Sequence, residues 1–358
     1  MRVHSIWLLL ALLVCVSAAS AKEPEEVWAE LGRLSGSERQ TRLMSGARAE
    51  RKVVFYGNIE SDNLERLRRD FEKRYPDIRL EIWRGSGERT ANRVLTEARG
   101  GKFAADVIGP SNENLPTLMA AGLIGRYNSP ERANYGDAHK DREGYWTSYD
   151  FNLVVMAYNT RLVPASQAPK KYEDFLAPKW KGNFAMDMDP DRAVMLWLKL
   201  WGEQKTQRFL QELSKNDVVI RKGHTLITQL LCAGEYKAAV ELYAYRLATV
   251  KYEKGCPVEM SFPDPTPGGV TPIVVAKRSP NPHAAALLLD YILSEPGQKV
   301  LVDVGRFSGR RGLKPKYAEM DVEGKGIHVL PLRPEDAAQL GEKYQRLREK
   351  FLLARQSG

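Results

Sequence analysis

Several polar loops in this chain hold the residue types from which a binding site is built. Asn58 and Glu60 follow Gly57, Ser86, Glu88 and Arg89 surround Gly87, and Ser111 and Asn112 follow Gly109-Pro110. Later come Asp187, the run Lys222-Gly223-His224-Thr225, and the segment Glu241-Leu242-Tyr243-Ala244-Tyr245-Arg246, with Tyr149 between the two groups. Two chemistries are open to such a set. Carboxylates and phenols, with Glu88, Tyr243 and Tyr245 foremost, are hard oxygen donors for a highly charged cation. Arg89, Lys222 and the backbone N–H groups at 111–113 would instead hold a carboxylate or phosphate, while Trp146, Tyr149 or Tyr243 packs on an organic body. A polyamine would use Glu60, Glu88, Glu241 and Asp187. Any one of these residues could equally be a helix cap or turn former.

Covalent catalysis is poorly provided for. The chain has no G-x-S-x-G, H-E-x-x-H or P-loop pattern, and beyond the leader only His139, His224, His283 and His328 could act as a base. The run from Gly85 to Thr90 begins like a dinucleotide fingerprint, but Thr90 stands where the third glycine belongs. The expectation is a binding protein and not an enzyme. An enzyme or a ligand-sensing receptor on the same scaffold is the alternative of another class.

The elements that position these loops alternate between strand and helix. Strands are predicted at 52–56, 78–83 and 105–108, each followed by a glycine-bearing loop and a helix, at 62–75 (with a capping box from Asp62 to Glu65), 90–99 and 114–121. The segment 145–159 breaks the rhythm, with 152–159 reading as a long, mostly buried strand that suits a crossing between lobes. A second set follows, with strands at 183–186, 218–220 and 238–242 and helices at 192–200, 205–213 and 225–233. An apolar strand at 270–276 returns the chain to the first lobe, and helices at 283–293 and 296–304 close it. This is an α/β pattern with helices on both faces of a largely parallel sheet. In such lobes ligands sit beyond the carboxyl ends of strands, which is where the polar loops fall.

The start of the chain speaks to compartment. A basic opening, an apolar run over 6–16 and the small residues Ala19-Ser20-Ala21 read as a signal peptide cut near Ala21, leading to the periplasm. The run is shorter than the roughly 20 residues of a membrane anchor. The formal charge of +9 falls to +8 with loss of Arg2, and the cations are interspersed with acids on helix faces, so nucleic acid is not an expected partner. Cys232 and Cys256 could form a disulfide in that compartment or remain thiols.

Val53-Val54-Phe55-Tyr56-Gly57, Phe71-Glu72-Lys73-Arg74-Tyr75-Pro76, Ala105-Asp106-Val107-Ile108, Val155-Met156-Ala157-Tyr158-Asn159, Pro178-Lys179-Trp180-Lys181-Gly182 and Glu295-Pro296-Gly297-Gln298 together carry a resemblance. The chain resembles the family 1 extracellular solute-binding proteins of ABC importers, and among them is most similar to the ferric-iron binders. The resemblance implies a two-lobed periplasmic-binding-protein type II fold with crossover hinge strands and a cleft between lobes. On that frame lobe one is 52–152 with 270–315 and lobe two is 153–269, with helical extensions at 22–51 and 316–358. It further implies a monomer that captures a small molecule or metal by hinge closure for an inner-membrane ABC permease. No resident cofactor is expected, Fe3+ entering only as cargo. The family's adjacent tyrosine pair is split here by Ala244, its early histidine falls near Asn58 or Ile59, and Glu88 matches its glutamate. The metal set implied is Glu88, Tyr243 and Tyr245, one ligand short, and a small organic anion stays open beside it.

Overall fold

The computed structural model describes residues 22–353, so the expected signal peptide lies outside the described residues. Strand β1 (Lys52–Gly57) runs parallel to β2 (Arg79–Arg84) and β3 (Val107–Ile108), and the intervening helices are α3 (Ser61–Arg74) and α4 (Gly87–Arg99). Helix α3 buries Leu64, Leu67 and Phe71, spaced three and four apart so that they form one stripe against the sheet. The expected Asp62 capping box does not form. Glu60 holds the N-cap position without capping by its side chain, which leaves its carboxylate free for another partner. Helix α5 (Leu115–Ala120) and the short β4 (Ile124–Gly125) complete this layer.

The second half repeats the design with β6 (Phe184–Asp187), α6 (Asp191–Lys215), β7 (Val219–Arg221), α7 (His224–Ala233), β8 (Ala238–Tyr243), α8 (Ala244–Lys254) and β9 (Val258–Ser261). The two helices expected at 192–200 and 205–213 are the arms of α6, broken at Gly202, whose φ of 77° is open to glycine at little cost. Between the halves run two long, fully buried strands, β5 (Thr147–Asn159) and β10 (Thr266–Ala276). The sheet order β2-β1-β3-β10-β5-β8-β6-β7 places this antiparallel pair at the centre, with a parallel trio on either side. The chain crosses between the halves along these two strands, which makes them the hinge.

The flanks follow the same logic of buried faces. Helices α1 (Pro24–Arg33) and α2 (Gly36–Glu50) pack on α9 (Pro282–Leu293), which is followed by α10 (Glu295–Asp303). Trp28 donates to the Pro282 carbonyl at 2.9 Å, Arg39 pairs with Asp290 at 2.7 Å, and Glu50 accepts from the Ala284 N–H at 2.7 Å and meets the His283 ring at 2.8 Å. A Cβ on Gly46 would lie 2.2 Å from that ring, so only glycine lets α2 approach so closely. The C-terminal segment, expected to be helical throughout, contains β11 (Val329–Leu332) before α11 (Pro334–Arg348). Residue alternation over four positions is too short to announce a strand, and pairing with β10 decides it. Helix α11 packs on α6 and α5, so it touches both halves.

Cys232 in α7 and Cys256 just beyond α8 are bonded, with Cα atoms 5.4 Å apart. Closing this loop stabilises the fold by about 3–4 kcal/mol through loss of chain entropy in the unfolded state. A Cys232→Ser/Cys256→Ser variant should therefore melt several degrees below the wild type under non-reducing conditions, and the difference should disappear when both are reduced.

Candidate functional site

The loops after β1, β3, β6 and β8 converge where the two halves meet. In the second half, His224 opens α7 with Nδ1 3.3 Å from the Asp187 carboxylate and Nε2 2.6 Å from that of Glu241. Asp187 and Glu241 are 3% and 1% exposed, so each must be compensated in place. Asp187 also accepts the N–H groups of Gly223 at 2.8 Å and Asp189 at 2.9 Å, and Glu241 accepts that of Asp187 at 3.0 Å. Burial works against a charge on His224, but Glu241 and Asp187 overcome it and push the imidazole up to about 9. The two carboxylates thus favour the charged imidazolium, with Nε2 hydrogen-bonded to Glu241 and Nδ1 beside Asp187. Its face stacks on Tyr243 at 4.3 Å.

The sign of the pH effect follows. Because the folded value lies above the ordinary 6.5, this ion pair contributes fully below pH 6.5 and is lost as pH rises through about 9. Melting temperature should fall across that window, and a His224→Asn variant should lack this part of the fall.

From the first half, Glu60 reaches across to accept from the Tyr245 hydroxyl at 2.8 Å, and Arg246 stands 3.7 Å away. Arg306, just after α10, pairs with Glu60, donates to Asp150 at 2.8 Å and Asn152 at 3.2 Å, and lies 4.3 Å over the Tyr245 ring. Burial opposes the charge on Glu60, yet Arg306, a backbone N–H and Tyr245 hold its carboxyl below the usual range. Burial pushes Asp150 up to about 6 despite Arg306, and its Oδ1 has no hydrogen-bond partner. Beneath this group Tyr149, fully buried, donates to Asn58 at 3.0 Å.

Arg192 stands apart from these pairs. It lies in the first turn of α6, 5.3 Å from the Tyr243 ring centre, with its Nε unpartnered. Gly269 of β10 gives it room, since a Cβ there would sit 2.0 Å from Nε. Beside it, burial and the Glu113 carboxylate push Asp191 well above the usual range, while Arg192 holds Glu113 down against burial. Glu113 of one half and Asp191 of the other thus face each other beside Arg192, with the Glu113 Oε1 unpartnered.

The structure thus brings together Asn58, Glu60 and Tyr149 with Tyr245 on one side, and Asp187, His224 and Tyr243 on the other. Tyr243 and Tyr245 stack at 5.9 Å, Tyr243 ending β8 and Tyr245 lying in the first turn of α8. Ser86 is spent capping α4 through the Arg89 N–H at 3.3 Å, and Ser111 accepts from Asn114 at 2.6 Å and packs on Gly87. Asn112 donates to the Leu332 carbonyl at 3.4 Å, with its Oδ1 unpartnered. Glu88 and Arg89 are exposed on α4, and Thr225 is exposed on α7. The expected metal set is not assembled, because Glu88 points to solvent while Tyr245 is engaged by Glu60. No three His, Cys, Asp or Glu among the described residues form a group suited to a metal ion.

Sequence reading missed Arg192, Arg306 and Asp150. For Arg192 a signal exists, because a cation in the first turn of a helix opposes the helix dipole and so asks for another reason to be there. Arg306 follows the end of a helix and carries no comparable mark.

Comparison with known proteins fits this geometry. The chain is 25% identical over 205 residues to the Fe(3+)-binding periplasmic protein of Serratia marcescens, an alignment covering 56% of this chain and 59% of that relative. Iron-bound HitA from Pseudomonas aeruginosa superposes with a TM-score of 0.74 at 22% identity, over 83% of this chain and 99% of the other. AfuA from Actinobacillus pleuropneumoniae, with fructose-6-phosphate bound, gives 0.69 at 20% identity over 84% and 97%. These likenesses establish the two-lobed type II fold of periplasmic binding proteins. Residues 105–331 match the family described as bacterial extracellular solute-binding protein, and the chain belongs to that family of binding proteins.

Proposed function

We propose that this chain is the periplasmic substrate-binding component of an ABC importer, and that its cleft closes over a small ligand presenting an anionic group to Arg192. The observation that carries the reading is the Arg192 side chain between the lobes, whose Nε has no hydrogen-bond partner, which lies 5.3 Å from the Tyr243 ring centre and which Gly269 gives space. Every other strong cation of the cleft is already engaged: His224 by two carboxylates, and Arg306 by Asp150 and Glu60. A planar guanidinium in a partly desolvated site suits a carboxylate or phosphate. The positive end of α6 adds to the attraction. The chain does no chemistry on what it holds, and works as a monomer whose lobes are 52–152 with 270–315 and 153–269. Glu60–Tyr245 and Glu113–Asp191 are the contacts made on closure, which differential affinity for the closed state would favour.

A second reading is ferric iron, alone or as a complex whose anion meets Arg192. It is favoured by the stacked Tyr243 and Tyr245 with Glu60 beside them, and by the ferric-binding relatives. A thermal-shift screen of the mature protein against Fe3+ with citrate or carbonate, sugar phosphates and dicarboxylates separates the two. A ligand at 100 times its Kd adds about 2.7 kcal/mol. An organic anion that shifts the wild type but not Arg192→Ala supports the first reading. A shift with Fe3+ accompanied by a tyrosinate charge-transfer band that Tyr243→Phe abolishes supports the second. Turnover of a bound compound would contradict the binding role.

A further inference from the structure

A second concave surface lies outside the cleft, between α7 and α8. It encloses about 450 Å3, and its base is fixed by the Cys232–Cys256 disulfide. Arg161, Arg246 and Lys254 line it together with Thr225 and Gln229, and no Asp or Glu contributes to its wall. Arg161 and Lys254 are exposed, and neither is in an ion pair among the described residues. The third cation, Arg246, stands 3.7 Å from Glu60 of the opposite lobe, so its position in the groove depends on the closed arrangement.

We propose that this groove docks an acidic segment of the membrane partner, and that it does so best when the lobes are shut. The inference rests on the importer reading above and deepens it by naming a surface, a charge sign and a link to closure. Three cations around a trough without carboxylates create a positive potential that complements aspartate and glutamate side chains. The volume admits more than one such side chain, and the disulfide holds both walls in place, so little ordering cost falls on this side of the contact. The link to closure is physical. With the lobes apart, Glu60 no longer stands beside Arg246, and the guanidinium loses the partner that holds it at the rim. Thr225, expected in the cleft, faces this groove instead.

The test uses the mature, oxidised protein and a fluorescein-labelled peptide of alternating glutamate and alanine, read by anisotropy. The expected result is saturable binding that weakens about tenfold or more in an Arg161→Glu/Lys254→Glu variant, and that falls steeply with added salt. A lysine-for-glutamate peptide should not bind. A melting curve confirms that the variant is folded, and its response to cleft ligands should match the wild type because neither residue touches the cleft. Peptide binding should also survive in Arg192→Ala, so a failed ligand screen and a failed docking test are separate results. Equal peptide affinity in the charge-reversed variant would overturn the proposal. So would full displacement of the peptide by inorganic phosphate, which would mark the groove as a small-anion pocket.

Discussion

Replacing His224 by alanine should cost about 3–5 kcal/mol of stability, the range found when one partner of a buried ion pair is removed. The reason lies in what remains. Asp187 keeps two backbone N–H groups, but Glu241 keeps only one, and both carboxylates would stay buried without the imidazolium between them. Tyr243 would also lose the ring on which it stacks. For a chain of this size a loss of that order lowers the melting temperature by roughly 2 °C per kcal/mol or somewhat more. His224→Gln, which retains a donor but no charge, should fall between. The difference from wild type should narrow at low pH as the orphaned carboxylates take up protons. Melts of the three proteins near neutral pH and near pH 5 check this, and equal melting temperatures would show that the triad contributes little.

The second large effect is expected in binding. Arg192→Ala should weaken an anionic ligand by about 30-fold or more, corresponding to the 2 kcal/mol or greater lost when one side of a desolvated charge pair is truncated. Arg192→Lys should recover only part of that, because an ammonium cannot reproduce two parallel hydrogen bonds. The unliganded variant should also melt somewhat below the wild type, since Arg192 is the cation that offsets burial of the Glu113 carboxylate, and a melting curve confirms that it is folded before titration. Isothermal titration with the ligand found in the screen measures the loss. Unchanged affinity would remove Arg192 from the site and with it the anion reading.

Much of the fold was legible because its signals are local. The apolar stripe Leu64, Leu67, Phe71 announces a helix, and the long apolar run through residue 155 announces a buried strand. The second crossing strand was placed at 270–276, whereas β10 begins at Thr266; Thr266-Pro267-Gly268-Gly269 has turn composition, and only pairing with β5 and β11 makes it extended. The site was legible in its loops and less so in its chemistry. Strand ends marked Asn58, Glu60, Asp187, His224 and Tyr243 for attention, and these do gather where the lobes meet. Glu88 and Arg89 were marked by the same rule, but the rotation of α4 about its axis turns them outward, and loop position does not encode that rotation. Arg306 was out of reach, because it enters the cleft from a segment more than 240 residues away from Glu60.

The central strand pair has one irregularity, a register shift between Thr271 and Pro272 of β10, opposite the stretch from Ser148 to Asp150. Proline has no N–H to offer the ladder, so the ribbon is slack at this spot and firm above and below it. Torsion of one lobe against the other should gather there, as a strip of metal creases where it has been scored. Thr271 touches the Asp150 carboxylate, and Asp150 is held by Arg306. The crease therefore lies against the chain of charges from Asp150 through Arg306 to Glu60, so a twist of the ribbon and a change in the grip on Glu60 are one movement.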